Sequence, residues 1–350
     1  FWMWVTAIIG IATKFFTCTL SVMYREKTKE GEIFGGPMYV IKNGLPKRML
    51  PLAYFFALAG MIGCLPAFQS NQLIQITGDL AFSEIENFNI FGGLVLAGIT
   101  GIVVIGGLKR IAEVATFLVP LMGSIYFGAM LIALILNLDQ VFPAFKLILV
   151  DAFNGTAIAG GTFFGVLIYG VRRGAFSNEA GMGTESLVHG VAKVSDPVKQ
   201  GLVAMTGPIF DTLIICTATA LMILISGVWE TSASQGVTLT AEAFSMLLGN
   251  FGGFILFICV ICFGLSTIFT YSYYGASCSR FLFGKFGMKF YIYLYIFSIF
   301  IYSIVPIDIA INIADGAFAM MAIPTLVSAL WLAPKVMQAS KKYFELVDNY

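Results

Sequence analysis

Long, nearly uncharged apolar runs recur along the whole of this 350-residue chain, and they constrain its fold more than any motif does. A helix that crosses the hydrocarbon core of a bilayer needs about 20 mostly apolar residues. Hydrophobic residues make up 59% of the chain and charged residues 11%, against about a quarter charged in soluble domains. Because lipid cannot satisfy backbone polar groups and the runs lack strict alternation, they predict membrane-spanning helices rather than a barrel.

The apolar runs predict an all-α polytopic membrane protein with about nine transmembrane helices, forming a single transmembrane domain over residues 1–350. Phe1 begins inside an apolar run and has no charged segment before it, so we expect an N-terminally truncated domain rather than a signal peptide. The predicted spans are 1–24, 50–77, 88–106, 111–136, 150–171, 201–228, 251–274, 288–306 and 308–333.

The basic residues predict the orientation of these spans. All of the 20 Lys and Arg residues except Lys14 and Lys146 fall in the segments that follow odd-numbered spans. The positive-inside rule assigns those segments to the cytoplasm. We therefore predict a multi-pass protein of the plasma membrane, embedded in the lipid bilayer, with a cytoplasmic C-terminus. A net charge of +1 with scattered basic residues argues against nucleic-acid binding, and the sequence carries no signal for an oligomeric state.

Catalytic and metal-binding motifs do not accompany the spans. The one histidine, His189, falls in a predicted loop, and neither HExxH nor GxSxG occurs, so we expect neither an enzyme nor a cofactor. Cys259 and Cys262 have the spacing of a redox or metal pair, but they lie inside an apolar run without further ligands. We expect these thiols to pack in the membrane and to form no disulfide.

The fifth predicted span is interrupted by glycines, among them Gly160, Gly161 and Gly165. Transporters place such interrupted helices at the midplane, because unwound backbone offers free N–H and C=O groups to a substrate or an ion. Close packing of helices through small residues is the alternative. Backbone freedom beside aromatic side chains favours a substrate site, for which the candidate residues are Gly161, Thr162, Phe163, Phe164 and Gly165.

Polar side chains within other spans extend this hypothesis. The run 69–72 holds three amides, which either join helices or face a polar cavity, and Gln69 and Asn71 are candidate substrate-binding residues. Ser266 and Thr267 offer the hard oxygens that suit dehydrated sodium, although most membrane hydroxyls bond to a carbonyl one turn back. Lys14 lies within the first span, where function and snorkelling to the headgroups are equally reasonable.

Two further polar features, the segment 172–184 and Asp211, each have two possible interpretations. The segment 172–184, which contains the sequence SNEAG, is predicted to be either a solvated cytoplasmic loop or a short re-entrant or gating element. Asp211 lies near the start of a predicted span, where a carboxylate that complements the helix N-terminus is favoured over one that binds substrate or ion.

Several stretches, taken in order, resemble the alanine or glycine:cation symporter family over nearly the whole chain. The segment containing SNEAG, directly after the glycine-interrupted span, is the most specific of them. The stretches are FWMWVTAIIGIATKF at the start, GGPMYVIKNGL (35–45), FQSN (68–71), GGLKRIAEV (106–114), GVRRGAFSNEAGMGT (170–184), DTLIICTATALMIL (211–224) and FGLSTIFTYSYYG (263–275).

The resemblance implies a LeuT-like fold of two inverted five-helix repeats, each with a broken first helix. The first repeat's broken helix would lie upstream of this chain and would supply part of the substrate and sodium sites. The resemblance further implies a sodium site at Ser266 and Thr267 and a substrate pocket lined by Tyr271, where the family has Trp. Thr17 stands where the family commonly has Glu.

The sequence therefore predicts a secondary active symporter that imports a small neutral amino acid, alanine or glycine, with sodium by alternating access. A proton-coupled or uncoupled amino-acid transporter, or a channel-like sensor of the same fold, is the alternative. Sodium would act as the coupling ion.

Overall fold

A computed structural model describes residues 1–28, 31–82, 84–153, 162–234 and 236–348. These residues are almost entirely helical, and two-residue strands β1 (Glu26–Lys27) and β2 (Ile33–Phe34) add a small antiparallel hairpin. The helices are α1 (Trp2–Met23), α2 (Pro37–Gly44), α3 (Leu50–Gly63), α4 (Ala67–Ala81), α5 (Phe88–Val104), α6 (Gly107–Leu136), α7 (Leu138–Ala152), α8 (Thr162–Asn178), α9 (Thr184–His189), α10 (Pro197–Pro208), α11 (Thr217–Ser226), α12 (Val228–Thr231), α13 (Val237–Leu248), α14 (Asn250–Ile304) and α15 (Ile307–Asp348). A 3₁₀ turn (Lys47–Met49) precedes α3, and a π-helical segment (Ile209–Cys216) joins α10 to α11.

Six helices among the described residues are long and apolar enough to cross a membrane: Trp2–Met23, Lys47–Asp79, Gly107–Leu136, Pro197–Ser226, Phe251–Ile304 and Ile307–Val347. Their outward faces carry large apolar side chains, such as Phe117 at 70% and Leu330 at 77% exposure. Contact with lipid tails accounts for such faces, because apolar patches of this extent are rare on soluble proteins. The polytopic, all-helical class is as the sequence predicts, whereas the count of nine spans remains a prediction.

The longest helix, α14, contains a reversal at Gly284, whose φ of 68° and ψ of −158° are not helical. The segments 250–283 and 285–304 fold back on each other, since the Tyr295 hydroxyl donates to the Ile268 carbonyl at 2.6 Å. Gly275 permits this contact, because a Cβ there would lie 2.1 Å from the Tyr291 hydroxyl oxygen. The two predicted spans therefore correspond to two antiparallel helical segments, but the loop expected between them is helical on both sides of one glycine.

Other boundaries also differ from the prediction. The span predicted over 50–77 divides into α3 and α4 at Cys64–Pro66, where Pro66 has no N–H to continue the helix. The span predicted over 150–171 is divided between the end of α7 and α8, with residues 154–161 outside the described part of the chain. Helix α13 lies in a stretch for which the sequence predicted a loop. The prediction was a loop because this helix has only 12 residues, fewer than a membrane span needs.

The bundle has two buried apolar clusters among its described residues. The larger cluster joins α1 to α5 with α14 and α15 and includes Phe56, Ile268 and Met321, each fully buried. The smaller cluster lies between α6, α11, α13 and α14 around Met130 and Phe244. The larger cluster includes Met182 and Leu187, which belong to the partly polar segment described below.

Contacts at one end of the bundle join segments for which the sequence predicts the same side of the membrane. Arg25 donates to the Ala192 carbonyl at 2.9 Å, and Arg280 pairs with Glu32 at 2.7 Å. These contacts link the segments that follow the first, fifth and seventh predicted spans. The grouping agrees with the distribution of basic residues, while the assignment of this end to the cytoplasm remains a prediction.

Candidate functional site

Residues 177–187, from the end of α8 through the following turn into α9, form a buried polar segment that we call the junction. Asn178, Gly181, Met182 and the residues from Gly183 to Leu187 are buried. Gly183 has a φ of 92°, and a Cβ there would lie 2.5 Å from the Thr325 hydroxyl oxygen. Neighbouring helices therefore enclose the junction, and the prediction of a solvated loop over 172–184 is wrong. Residues 172–178 instead continue helix α8.

The first residue of the junction, Ser177, contacts the π-helical segment. Its hydroxyl donates to the Asp211 carboxylate and lies 3.1 Å from the Thr212 hydroxyl oxygen. Asp211 was predicted to lie at a helix start, but it lies within a continuous helical stretch from Pro197 to Ser226. The carboxylate therefore complements no helix N-terminus and instead binds a side chain from another helix.

Glu179 connects the junction to α14. One carboxylate oxygen accepts from the Tyr271 hydroxyl at 2.7 Å, and the other accepts from the Thr184 hydroxyl at 2.9 Å. Glu179 has a φ of 57°, a left-handed conformation uncommon for a residue with a side chain. The first hydrogen bond holds Tyr271, a predicted pocket residue, to the segment that most specifically marks the family resemblance, and the second fixes the Glu179 carboxylate within the junction.

Glu185 connects the junction to α1. Its carboxylate accepts from the Thr17 hydroxyl at 2.9 Å and from the Gly183 N–H at 3.0 Å, and its residue is 3% exposed. Desolvation raises the pKa of the Glu185 carboxyl to about 7, although the charge of Lys14 acts in the opposite direction. Thr17, the position at which the family commonly has Glu, thus holds a carboxylate supplied by α9.

His189 at the end of α9 is the second perturbed group near the junction. Its Nδ1 lies 2.5 Å from the Gln200 amide nitrogen. Desolvation lowers the pKa of the His189 imidazole to about 4, and the charge of Lys14 lowers it further. The imidazole is therefore neutral near pH 7, and its contact with Gln200 joins the end of α9 to α10.

A cavity of about 360 Å³ lies between α8 and the first half of α15, next to the junction. Its polar lining includes Arg172, Asn312 and Asp315. The neighbouring Arg173 pairs with Asp315 at 2.5 Å and lies over the Phe176 ring, 5.5 Å from its centroid. Opposite charges beside an apolar wall are the groups that a zwitterion of amino-acid size requires.

Aromatic rings connect this cavity to two other predicted features. The Phe176 ring lies 5.5 Å from Phe68 of the FQSN stretch and 5.6 Å from Phe318. The Phe318 ring in turn lies 6.4 Å from Tyr271. Tyr271 is therefore in ring contact with the wall of the cavity, although it is not itself among the lining residues.

The predicted substrate residues of the fifth span lie at the beginning of α8. Gly161 lies outside the described residues, and α8 begins with Thr162 and Phe163. Phe164 is 69% exposed, and Gly165 is exposed. Phe164 precedes the cavity residue Val171 by two helical turns, about 10 Å on the same face of α8. Their role in binding remains a prediction.

The predicted amides lie just after the break between α3 and α4. The Asn71 side chain donates to the Val305 carbonyl at 2.7 Å, which satisfies the end of α14. Gln69 is partly buried in the first turn of α4. Asn71 thus joins helices in the way that the sequence left open as an alternative to a polar cavity.

The predicted sodium ligands lie in the first half of α14. The Ser266 hydroxyl donates to the Phe263 carbonyl of its own helix at 3.0 Å, and Thr267 is partly buried. The described residues contain no group of three or more His, Cys, Asp and Glu side chains that could hold a metal ion. A cation here would be held by hydroxyl and carbonyl oxygens rather than by a carboxylate cluster.

The sequence analysis did not predict two charged residues of this region, Glu185 and Asp315. Glu185 follows Glu179 within a short, glycine-rich stretch, and the repeated carboxylate was the signal available for it. Asp315 belongs to the last predicted span, where an ionisable residue at membrane depth is by default a functional candidate. Neither partner, Thr17 or Arg173, could be inferred from sequence separation.

Comparison with known proteins identifies the family of this chain. The model of the sodium:alanine symporter family matches residues 1–349. The sodium/alanine symporter AgcS of Methanococcus maripaludis is 36% identical over all of this chain and 78% of the relative. The uncharacterized transporter YflA of Bacillus subtilis is 36% identical over all of this chain and 75% of its own length. The probable sodium/glutamine symporter GlnT of the same organism is 34% identical over 98% of this chain and 71% of its own length.

The match confirms the family resemblance and agrees with the helical, membrane-spanning architecture. Its members are carriers, so the protein is a cation-coupled amino-acid transporter and not an enzyme. The chain belongs to the sodium:alanine symporter family.

Proposed function

We propose that the protein imports a small neutral amino acid, alanine or glycine, together with sodium by alternating access. The observation that carries the proposal is the buried junction, which joins α1, α14 and the π-helical segment through Glu185, Glu179 and Ser177. Side chains that connect several helices at one point allow a bound ligand to influence the position of each helix.

The substrate would bind between the beginning of α8 and Tyr271. Backbone groups of 161–165 would hold its carboxylate and ammonium groups, and Phe163, Phe164 and Tyr271 would restrict its side chain to methyl or hydrogen. Phe164 lies at the beginning of α8 and Tyr271 contacts Glu179 just beyond its end, roughly 20 Å along the helix, so the two walls of this pocket would meet only when the helices rearrange during alternating access. Gln69 would line the same polar region, and Asn71 would reach the substrate only by giving up its bond to the Val305 carbonyl. The Tyr271 hydroxyl is bound to Glu179, which would fix the orientation of this ring in the proposed pocket.

Sodium would bind at Ser266 and Thr267, together with carbonyl oxygens. Ion and substrate would each stabilise the occluded state more strongly in the presence of the other, which is thermodynamic coupling. The helices would form a LeuT-like pair of inverted five-helix repeats, with about nine transmembrane helices over residues 1–350. The protein would reside in the plasma membrane with its C-terminus in the cytoplasm.

The experiment is uptake of labelled alanine and glycine into proteoliposomes that contain the full-length protein, with and without an inward sodium gradient. We expect accumulation that requires the gradient and is abolished by a sodium ionophore. Downhill flux that is indifferent to sodium would contradict the proposal.

Proton coupling is the second candidate, and the perturbed carboxyl of Glu185 is the observation that favours it. A carboxyl with a pKa of about 7 exchanges its proton near physiological pH. Accumulation that follows an inward proton gradient in the absence of sodium, and that Glu185→Gln abolishes, would favour this candidate over sodium symport.

A further inference from the structure

The stretch from Pro197 to Ser226 contains a π-helical segment in its middle, Ile209–Cys216. Asp211 lies roughly 20 Å along the helix from Pro197 at 1.5 Å per residue, well inside a membrane span. π-helical turns often occur at functional sites, because the wider turn accommodates an extra residue and alters the regular carbonyl pairing. An ionisable side chain at this depth is costly unless function retains it.

Three oxygen-bearing side chains meet at this segment. The Ser177 hydroxyl donates to the Asp211 carboxylate, and the Thr212 hydroxyl oxygen lies 3.1 Å from Ser177 and 3.4 Å from Asp211. The Cys216 sulfur lies 3.3 Å from the Ser177 oxygen. Thr212 is fully buried. The group combines one carboxylate with two hydroxyl oxygens from two helices, which is a hard donor set.

Lys14 of α1 supplies the nearby positive charge. A Cβ on Gly207 would lie 3.1 Å from the Lys14 ammonium nitrogen, so the ammonium lies against α10 one turn before Asp211. Lys14 is in none of the ion pairs of the described residues. The Lys14 ammonium therefore lies close to the Asp211 turn without holding the carboxylate in an ion pair, which leaves the carboxylate open to a competing cation.

We propose that Ser177, Asp211 and Thr212 form a second sodium site, separate from the one proposed at Ser266 and Thr267. This inference deepens the proposed function, because sodium at both sites would drive the same transport cycle. A single carboxylate beside an ammonium suits a monovalent rather than a divalent cation. Lys14 is the internal competitor of the ion: it neutralises Asp211 when sodium leaves and is repelled when sodium binds.

The test is equilibrium binding of ²²Na⁺ to the full-length protein in nanodiscs, without substrate. We expect Asp211→Asn to bind one sodium ion fewer than the unmodified protein. Thr212→Val should weaken this site about ten-fold, and Lys14→Met should tighten it about five-fold, because a repelling charge is removed. The matched controls are Asp308→Asn, at an exposed position in the first turn of α15, and Thr206→Val, whose hydroxyl donates only to Val203 of its own helix.

The outcomes separate this site from the proposed function. Unchanged stoichiometry and affinity in Asp211→Asn and Thr212→Val would overturn the site, even if uptake still depends on sodium. Weaker or unchanged sodium binding in Lys14→Met would also overturn it, since a purely structural Lys14–Asp211 interaction predicts no gain. If Asp211→Asn does not fold, Thr212→Val and Lys14→Met carry the test. Sodium binding that is lost in Asp211→Asn, in a protein without sodium-driven uptake, would support the site and refute symport.

Discussion

Two groups of hydroxyl side chains lie within membrane helices of this protein, and their surroundings differ. The Ser266 hydroxyl is satisfied by a carbonyl of its own helix, and Thr270 in turn donates to the Ser266 carbonyl. The Ser177 hydroxyl instead binds Asp211 on another helix. The first group needs no neighbouring helix for its hydrogen bonds, whereas the second depends on how two helices are positioned.

The difference teaches that a hydroxyl pair in a membrane helix is weak evidence for an ion site until its partners are known. A hydroxyl that bonds to its own helix can turn toward an ion at small cost, and its removal barely affects the fold. A hydroxyl that bonds across helices, as at the junction, contributes to the position of both helices. Stability and sodium dependence should therefore respond differently at the two places.

The largest effect on stability is expected at Glu179. Glu179→Ala leaves the buried hydroxyls of Tyr271 and Thr184 without their acceptor, which should lower the free energy of unfolding by about 4 kcal/mol. The measurement is thermal unfolding in detergent micelles, followed with a dye that reacts with the mostly buried cysteines. Tyr271→Phe, which removes one of the two bonds, should cost less. If Glu179→Ala lowers the free energy of unfolding no more than Ser266→Ala does, hydrogen bonds across helices stabilise the fold no more than bonds within a helix, contrary to this prediction.

The second prediction concerns pH, to which the junction should respond and the hydroxyl pair should not. The raised pKa of Glu185, about 7 against 4.5, gives stability that is present below pH 4.5 and is lost as pH rises to 7. The lowered pKa of His189, about 4 against 6.5, gives stability that is present above pH 6.5 and is lost as pH falls to 4. Each contribution is on the order of 3 kcal/mol, and they oppose each other.

Replacing one group at a time should therefore give stability–pH profiles with opposite slopes. The unmodified protein should unfold at nearly constant temperature between pH 4.5 and 6.5. His189→Gln should lose stability as pH rises through this range, and Glu185→Gln should gain it. Ser266→Ala should keep the flat profile. Parallel profiles in all three variants would show that neither buried group has the perturbed pKa.

The third prediction compares two threonines. Thr17→Val removes a buried hydrogen bond between α1 and Glu185, and should lower the free energy of unfolding by about 1–2 kcal/mol. Thr270→Val removes a bond within one helix and should cost less than about 0.5 kcal/mol. Thermal unfolding of both variants side by side provides the measurement. Equal losses would mean that bonds across helices contribute no more than bonds within a helix.

The smallest effect on stability, and the most specific effect on function, is expected at the hydroxyl pair. Ser266→Ala and Thr267→Ala should change the free energy of unfolding by less than about 0.5 kcal/mol. Each should raise the sodium concentration for half-maximal uptake about five-fold, which corresponds to about 1 kcal/mol of ion binding. Thr270→Val serves as the control on the same helix. An unchanged sodium dependence in both alanine variants would remove these residues from the ion site.

Some features of the fold could be predicted because they depend on local composition. Apolar runs of about 20 residues located the long helices, and the scattered basic residues grouped segments that do meet at one end. The break at Cys64–Pro66 was missed, because one proline within an apolar stretch is compatible with either a kink or a turn. The chain reversal between the seventh and eighth predicted spans was expected, but its confinement to the single residue Gly284 was not. Helix α13 was missed because it is too short for the expected length of a span.

The sequence by itself determined that this protein resides in a membrane, and its motifs determined its family. Tertiary structure decided which polar side chains meet. Ser177 and Asp211 are separated by more than thirty positions, Thr17 and Glu185 by well over a hundred. Hydropathy depends on neighbours along the chain, whereas a hydrogen bond between helices depends on their relative position and rotation. That geometry arises only from packing the whole bundle, and it buried a segment for which the sequence left both a solvated loop and a re-entrant or gating element open.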